Sequence, residues 1–389
     1  MPVGAVLAAG LLCALAPIVR PILAQPSILH DAEVRIRIKA GLDALYDMRF
    51  EEADAAFTVV SDRYEAHPVG PFLEALTTWW QILLDLSDTR YDEAFYSAMT
   101  NVIERSDQVL AQDRDNFDAI FFKGMALGFR GRLRSNRRDW LRAAADAKRA
   151  MDYVLAVADT DSTNHDYVFG SGLYHYYADI IPKRYPFARA ITTFLPSGDR
   201  EQGLAELTRT ATQGYFLRTE ATYFLLLIHY IYEQDFRACV DYVTWLRTEH
   251  PGNAFFHTLE GRVYARWGRW EVSETVFAEV LERYRSHAPG YKAAMAEQAL
   301  YYLARARLEA GEPQVALSHL LPLEALAARI ETDSYFKVLG RLLQGMAYDA
   351  MNRRDQAVAR YEAVLSMQNW GTTHARARRY LNSPYTTDH

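Results

Sequence analysis

The feature that most constrains this sequence is a unit that returns every 34 residues. When YFLLLIHYIYEQDFRACVDYVTWLRTEHPGN is set above HTLEGRVYARWGRWEVSETVFAEVLERYRSH, Leu227 falls on Gly261, Tyr230 on Tyr264 and Phe236 on Trp270. In the same register Cys239 falls on Ser273, Val243 on Phe277 and Leu246 on Val280. The unit recurs with Ala304, Arg307, Gly311, Ala316, Leu320 and Leu323, and again with Gly345, Tyr348, Ala357, Tyr361 and Val364. Near the start, Gly41, Ala53, Phe57 and Val60 fit the same places. A fixed period of this length marks a repeat architecture. Inside each unit apolar residues recur at three- and four-residue steps, broken by short polar or Gly/Pro turns, so each unit is a pair of helices. Two helices of a hairpin approach closely only where a small residue sits at their crossing. Aromatic and branched residues then fill the groove to the next hairpin. One hairpin cannot bury its own apolar face, so stacking is obligatory. The sequence therefore predicts an all-α fold, an α-solenoid of stacked antiparallel helix hairpins.

The small–aromatic–small–aromatic–Ala pattern resembles the tetratricopeptide repeat, a helix-turn-helix unit that stacks into a superhelix. The resemblance is closest over 220–287, extends to 297–330, 338–371 and 39–66, and is weakest between 70 and 215, where helices alternate at longer spacing. Three parts are expected: an N-terminal leader or anchor over 1–24, a repeat array over 25–371, and a capping helix and tail over 372–389. Within the array, enlarged units cover about 70–215 and regular ones about 220–371. Arg376, Arg378 and Arg379 give the last helix the polar face that the end of an array needs. The resemblance implies that the first helix of each hairpin lines a concave groove for an extended peptide or helix of a partner protein. On those helices Tyr232, Arg262, Arg266, Tyr301 and Arg305 are not required for hairpin packing, and they form the expected groove surface. A second resemblance covers IIPKRYPFARAITTFLPSGDREQGLAELTRTA and the helix ending LLLIHY. This stretch is similar to the central region of a eukaryotic tetratricopeptide family linked with the mitochondrial outer membrane and lipid droplets. The matching elements are the Ile–Pro start, the turn Gly198-Asp199-Arg200-Glu201, Gly203-Leu204 and His229.

The opening MPVGAVLAAGLLCALAPIVRPILAQP is apolar from Val3 to Val19, with a cleavage point after Ala24. It resembles a secretory signal peptide, which places the chain outside the cytoplasm, in a periplasm or cell envelope. A retained single-span anchor, and with it membrane association, is the alternative, since the run is near the lower limit for a span. Cys13 follows Leu12, where a lipoprotein signal would carry a small residue. Cys239, inside a helix, reads as a small buried hydrophobe. Half the residues are apolar and 24% are charged, enough for a large core. A net charge of −6 spread over 389 residues leaves no basic footprint for nucleic acid.

No HExxH, CxxC or GxxxxGK[ST] motif occurs, and FGSGLYH around Ser171 lacks the strand that a nucleophile elbow needs. Asp159 and Asp161 have the spacing of a calcium loop, but Asn164 and Gly170 stand where the turn Gly and closing Glu belong. Neither a catalytic set nor a cofactor or metal site is expected. Two further surfaces are. Arg130, Arg132, Arg134, Arg137 and Arg138 crowd one stretch that is suited to a phosphate, an anionic head group or an acidic peptide. His175, Tyr176 and Tyr185, beside Lys183 and Arg184, form an aromatic and basic stretch, whereas Tyr174 and Tyr177 share one core face. The sequence thus favours a non-enzymatic protein-binding scaffold. The rival is a lipid or other small apolar ligand held around Ile180, Phe187 and Phe194 beside the enlarged central repeat.

Overall fold

A computed structural model describes residues 27–160, 164–185, 196–328 and 333–386. The expected leader with Ala24, as well as Asp161, Phe187 and Phe194, lies outside them. No helix among the described residues is long and apolar enough to cross a membrane.

Among the described residues eight helix hairpins follow one another, and a seventeenth helix caps the last. They are α1 (Ala32–Tyr46) with α2 (Phe50–Arg63), α3 (Val69–Leu84) with α4 (Asp92–Gln112), and α5 (Phe117–Asn136) with α6 (Trp140–Thr160). Next come α7 (Phe169–Arg184) with α8 (Arg200–Gln213), α9 (Arg218–Ile228) with α10 (Phe236–Glu249), and α11 (Ala254–Arg266) with α12 (Trp270–Arg285). The last are α13 (Ala293–Glu309) with α14 (Pro313–Ala327), α15 (Tyr335–Ala350) with α16 (Arg354–Ser366), and the capping helix α17 (Thr373–Asn382). Each helix packs on its sequence neighbours, as an all-α solenoid requires. A π turn, His229–Glu233, extends α9.

Local chemistry sets the boundaries. Asp31, Asn116, Asp199, Asp235, Asn253 and Ser334 cap helix N-termini by accepting backbone N–H bonds, each worth about 1 kcal/mol. Most hairpins reverse through a tight turn holding one residue at positive φ: Met48, Arg138, Gln234, Gly268, Gly311 and Asn352. That left-handed residue ends the first helix and aims the chain back along it.

The crossings obey the repeat. A methyl group on Gly41 would meet the Phe57 ring at 2.3 Å, on Gly261 the Phe277 ring at 2.6 Å, and on Gly345 the Tyr361 ring at 2.4 Å. In each case glycine lets an aromatic ring sixteen residues further on lie against the first helix.

The two helices of a hairpin differ in their surroundings. The second helices α2, α10 and α16 each bury only three residues. By contrast α3 buries thirteen of its sixteen residues and α5 thirteen of twenty. An inner helix buried all round must be covered on its concave side as well, and the contacts show by what. The solenoid winds so tightly that its first hairpin meets its fifth and sixth. Trp80 stands edge-on to Phe256 at 5.4 Å, and Tyr46 edge-on to Trp80 at 5.4 Å. The Asn253 side-chain amide donates to the Tyr46 carbonyl at 2.6 Å, and the Gly252 N–H donates to Asp47 at 3.1 Å. One apolar core runs from Ile28 to Ala327, and a second from Ala304 to Tyr380.

Candidate functional site

The expected groove residues lie on consecutive inner elements but fall into two groups. Arg262 and Arg266 of α11 both stand over the Tyr230 ring, at 5.5 and 4.8 Å. The Arg262 Nε is buried without a hydrogen-bond partner, whereas Arg266 is exposed. On α13, Tyr301 packs on Tyr302 and Phe336, and Arg305 pairs with Glu309 one turn on. Burial raises the Tyr301 hydroxyl above its ordinary pKa, against the charges of Arg305 and Arg376. Arg376 of α17 thus extends this group. Tyr232 sits apart, at the end of the π turn, 6.1 Å from the Tyr176 ring and 5.9 Å from the Tyr177 ring.

The chain also folds back over the second group. The Tyr385 N–H donates to Asp349 at 2.9 Å, and its ring is edge-on to Tyr380 at 5.6 Å. Burial pushes up the pKa of its phenol, and the charges of Arg305, Glu309 and Arg376 act on it. An extended aromatic segment is therefore already accommodated beside Arg305.

The five clustered arginines do not share one surface. Arg130 is buried, and donates to both oxygens of Asp146 at 2.9 and 2.7 Å, and Arg134 reaches the same carboxylate at 2.5 Å. Arg137 is forked onto Asp92 at 2.6 and 2.7 Å. Arg130 and Arg134 tie α5 to α6 within one hairpin, and Arg137 ties that hairpin to the one before it. Arg138 occupies the left-handed turn position and lies 5.0 Å from the Trp370 ring. Arg132 points inward to the superhelix axis: it donates to the Tyr223 hydroxyl at 2.9 Å and packs 4.8 Å from Trp79 and 4.5 Å from Phe224. Of the residues expected at the surface, Arg130 and Tyr176 are thus buried and Arg132 is turned inward. Tyr176 is fully buried and donates to Glu233 at 2.7 Å, a carboxylate that also holds Arg200. Tyr176 faces the core because the enlarged repeat places Gly203 of α8 against its backbone, turning this face of α7 inward. His175 binds Glu206 at 3.0 Å, and Tyr185 is 37% exposed.

Ser171, at the centre of FGSGLYH, is a buried helical residue bonded to Glu206 and to the Val168 carbonyl. Burial pushes the Cys239 thiol up to about 12, which leaves it protonated and unreactive. Among the described residues no group of three or more His, Cys, Asp or Glu could hold a metal ion.

The closure of the first turn was not foreseen from the sequence. Besides Arg132 it rests on Glu220, which is 3% exposed and 3.5 Å from the Tyr46 hydroxyl. Burial raises the Glu220 carboxyl, and Arg132 works to lower it. The signal that could have found it is composition: α3, with TrpTrp at 79–80, and α9, with its run from Tyr223 to Ile228, are apolar around most of their circumference.

No curated protein matches the chain. The family model described as a tetratricopeptide repeat matches residues 340–367, which form most of the α15–α16 hairpin with Gly345 against Tyr361. Such repeats serve protein–protein interaction, and the chain carries one repeat of the tetratricopeptide type within a stack of helix hairpins.

Proposed function

We propose that this protein is a non-enzymatic scaffold that holds an acidic segment of a partner protein on the inner face of its C-terminal hairpins. The carrying observation is the interleaving of Arg262, Arg266, Arg305 and Arg376 with Tyr230, Tyr301 and Phe336 on α9, α11, α13, α15 and α17. Of these four arginines only Arg305 has a carboxylate partner among the described residues. The inner face of the first turn is filled by the chain itself, which leaves the later hairpins for a ligand. Guanidinium groups beside aromatic rings offer both charge-assisted hydrogen bonds and flat apolar area to an acidic peptide.

Fluorescence anisotropy with acidic and basic peptides of equal length tests this reading. The acidic peptide should bind at least about tenfold more tightly, and an Arg266→Glu/Arg305→Glu variant should lose about tenfold or more. Equal binding of both peptides, or an unaltered variant, would count against it.

The proposed place of action is the periplasm or cell envelope, supported by the apolar stretch Val3 to Val19. Fractionation of cells followed by N-terminal sequencing should find the chain outside the cytoplasm and starting at Gln25. A cytoplasmic chain that retains Met1 would overturn the assignment. A lipid-binding role has no comparable support, since Phe187 and Phe194 lie outside the described residues.

A further inference from the structure

The seam where the solenoid meets itself is not fully packed. Between α1 and the α9–α10 hairpin lies a cavity of about 220 Å³, lined by Lys39, Leu42, Asp43 and Tyr46 on one side. Gly214, Tyr215, Phe216, Arg218, Thr219, Trp245, Glu249 and His250 line the other. At ~30 Å³ per water molecule this is space for roughly seven waters, or a ligand of about six to ten non-hydrogen atoms.

Three features give the space a chemical character. Its walls are largely aromatic: Trp245, Phe216 and Tyr46, with Tyr215 at the rim. Its floor is polar. His250, 5% exposed, bonds through Nε2 to the Thr219 hydroxyl at 2.8 Å, and its Nδ1 has no hydrogen-bond partner among the described residues. Its mouth carries an underused cation. Arg218 lies 4.7 Å from the Trp245 ring and spends only Nε, on the Ala211 carbonyl at 3.1 Å. It has no carboxylate partner among the described residues, and Lys39 stands across the opening, paired with Asp43.

We propose that this cavity is a binding site for a small planar carboxylate, an aromatic acid of one ring. The ring lies between Trp245 and Phe216 and the carboxylate meets the free guanidinium nitrogens of Arg218, with the Lys39 ammonium nearby. His250 Nδ1 is the ligand's third contact, and it carries the imidazole proton in the tautomer in which Thr219 donates to Nε2. Burial holds the His250 pKa below its ordinary value, consistent with a neutral ring. Glu249 and Asp43 at the rim select against dianions. Because the ligand touches α1 and α10 at once, it joins the first hairpin to the fifth.

Isothermal titration of the full chain with benzoate, 4-methylbenzoate and neutral benzyl alcohol tests the site. Both acids should bind saturably, at least about tenfold more tightly than the alcohol, and Arg218→Ala should lose about tenfold for the acids alone. Arg218 is exposed, so this variant keeps its fold, which its unchanged melting temperature would verify. Trp245→Leu, which removes the wall and leaves the charges, should weaken the acids by about fivefold or more. Absence of saturable heat up to about 10 mM would overturn the proposal, as would equal affinity for benzyl alcohol. Binding that survives both substitutions would place the ligand elsewhere and overturn it as well.

Discussion

Single buried polar residues hold this molecule together where its periodicity stops. Asp166, 4% exposed, accepts the backbone N–H groups of Tyr215, Phe216 and Leu217 at the entrance to α9. Burial raises its carboxyl and the three amides oppose that, with burial prevailing. Removing the acceptor in Asp166→Ala leaves up to three amides unpaired and should cost about 3 kcal/mol in urea unfolding, since each orphaned buried group costs about 1–3 kcal/mol. A cost under about 1 kcal/mol would mean that water replaces the carboxylate. His257 is a second such residue, bonded to the Tyr291 hydroxyl at 2.8 Å, its pKa lowered to about 3 by burial first and by Arg247 and Arg283 next. Glu279 stands 3.5 Å from its other nitrogen but is 64% exposed, so solvent screens that charge. The imidazole is a base with a folded pKa below 6.5, so the folded state binds fewer protons than the unfolded. Its contribution is present above about pH 6.5 and is lost as pH falls from there towards 3. His229, His250 and His319 are lowered in the same direction by burial, whereas buried Glu220 and Glu297 and half-buried Glu260 are raised and act oppositely. The His257 share is therefore read as a difference. Between about pH 7.5 and 5.5, His257→Gln should lose less stability than the unsubstituted chain. Parallel pH profiles would contradict the assignment.

At the scale of the helix, the repeat was largely legible, because hairpin packing is local. The pairs Gly41 with Phe57, Gly261 with Phe277 and Gly345 with Tyr361 stand at one spacing. Helix Gly345→Ala drives a methyl group into the Tyr361 ring and should cost about 1–3 kcal/mol by thermal or urea unfolding. The turn glycine Gly311 is a contrasting case, with φ +76 and open space where a methyl group would go. Gly311→Ala pays only for the left-handed backbone, about 1 kcal/mol. If the two substitutions cost the same, the crossing is looser than its geometry indicates. The surface residues were less legible, for a physical reason. In the stretch from Arg130 to Arg138, partners come from three directions: Asp146 on the next helix, Asp92 at the far end of the preceding helix, and Tyr223 from α9. Sequence spacing carries the first of these and not the other two.

For the whole molecule, the decisive event is closure of the first turn, and here the sequence was nearly silent. The contacts that make it join residues far apart: Tyr46 to Glu220, Arg132 to Tyr223 and Asn253 to Tyr46. A period of 34 residues specifies how each unit meets the next, but superhelical pitch is the sum of small rotations that no single unit encodes. Closure divides the array, with one core through α14 and a second continuing to α17. Hairpin α15–α16 and the cap, which belong to the smaller second core, should exchange amide hydrogens at lower free energy than α3, α5 and α9. It also confines the open arginine and aromatic surface to the later inner helices, and this confinement is what the functional reading depends on. Hydrogen exchange by mass spectrometry, with and without a saturating acidic peptide, tests it most directly. Added protection should concentrate in 254–266, 293–309 and 373–382. Protection on the outer helices α10, α12 and α14, or none at all despite saturable binding, would contradict a partner site on the inner face.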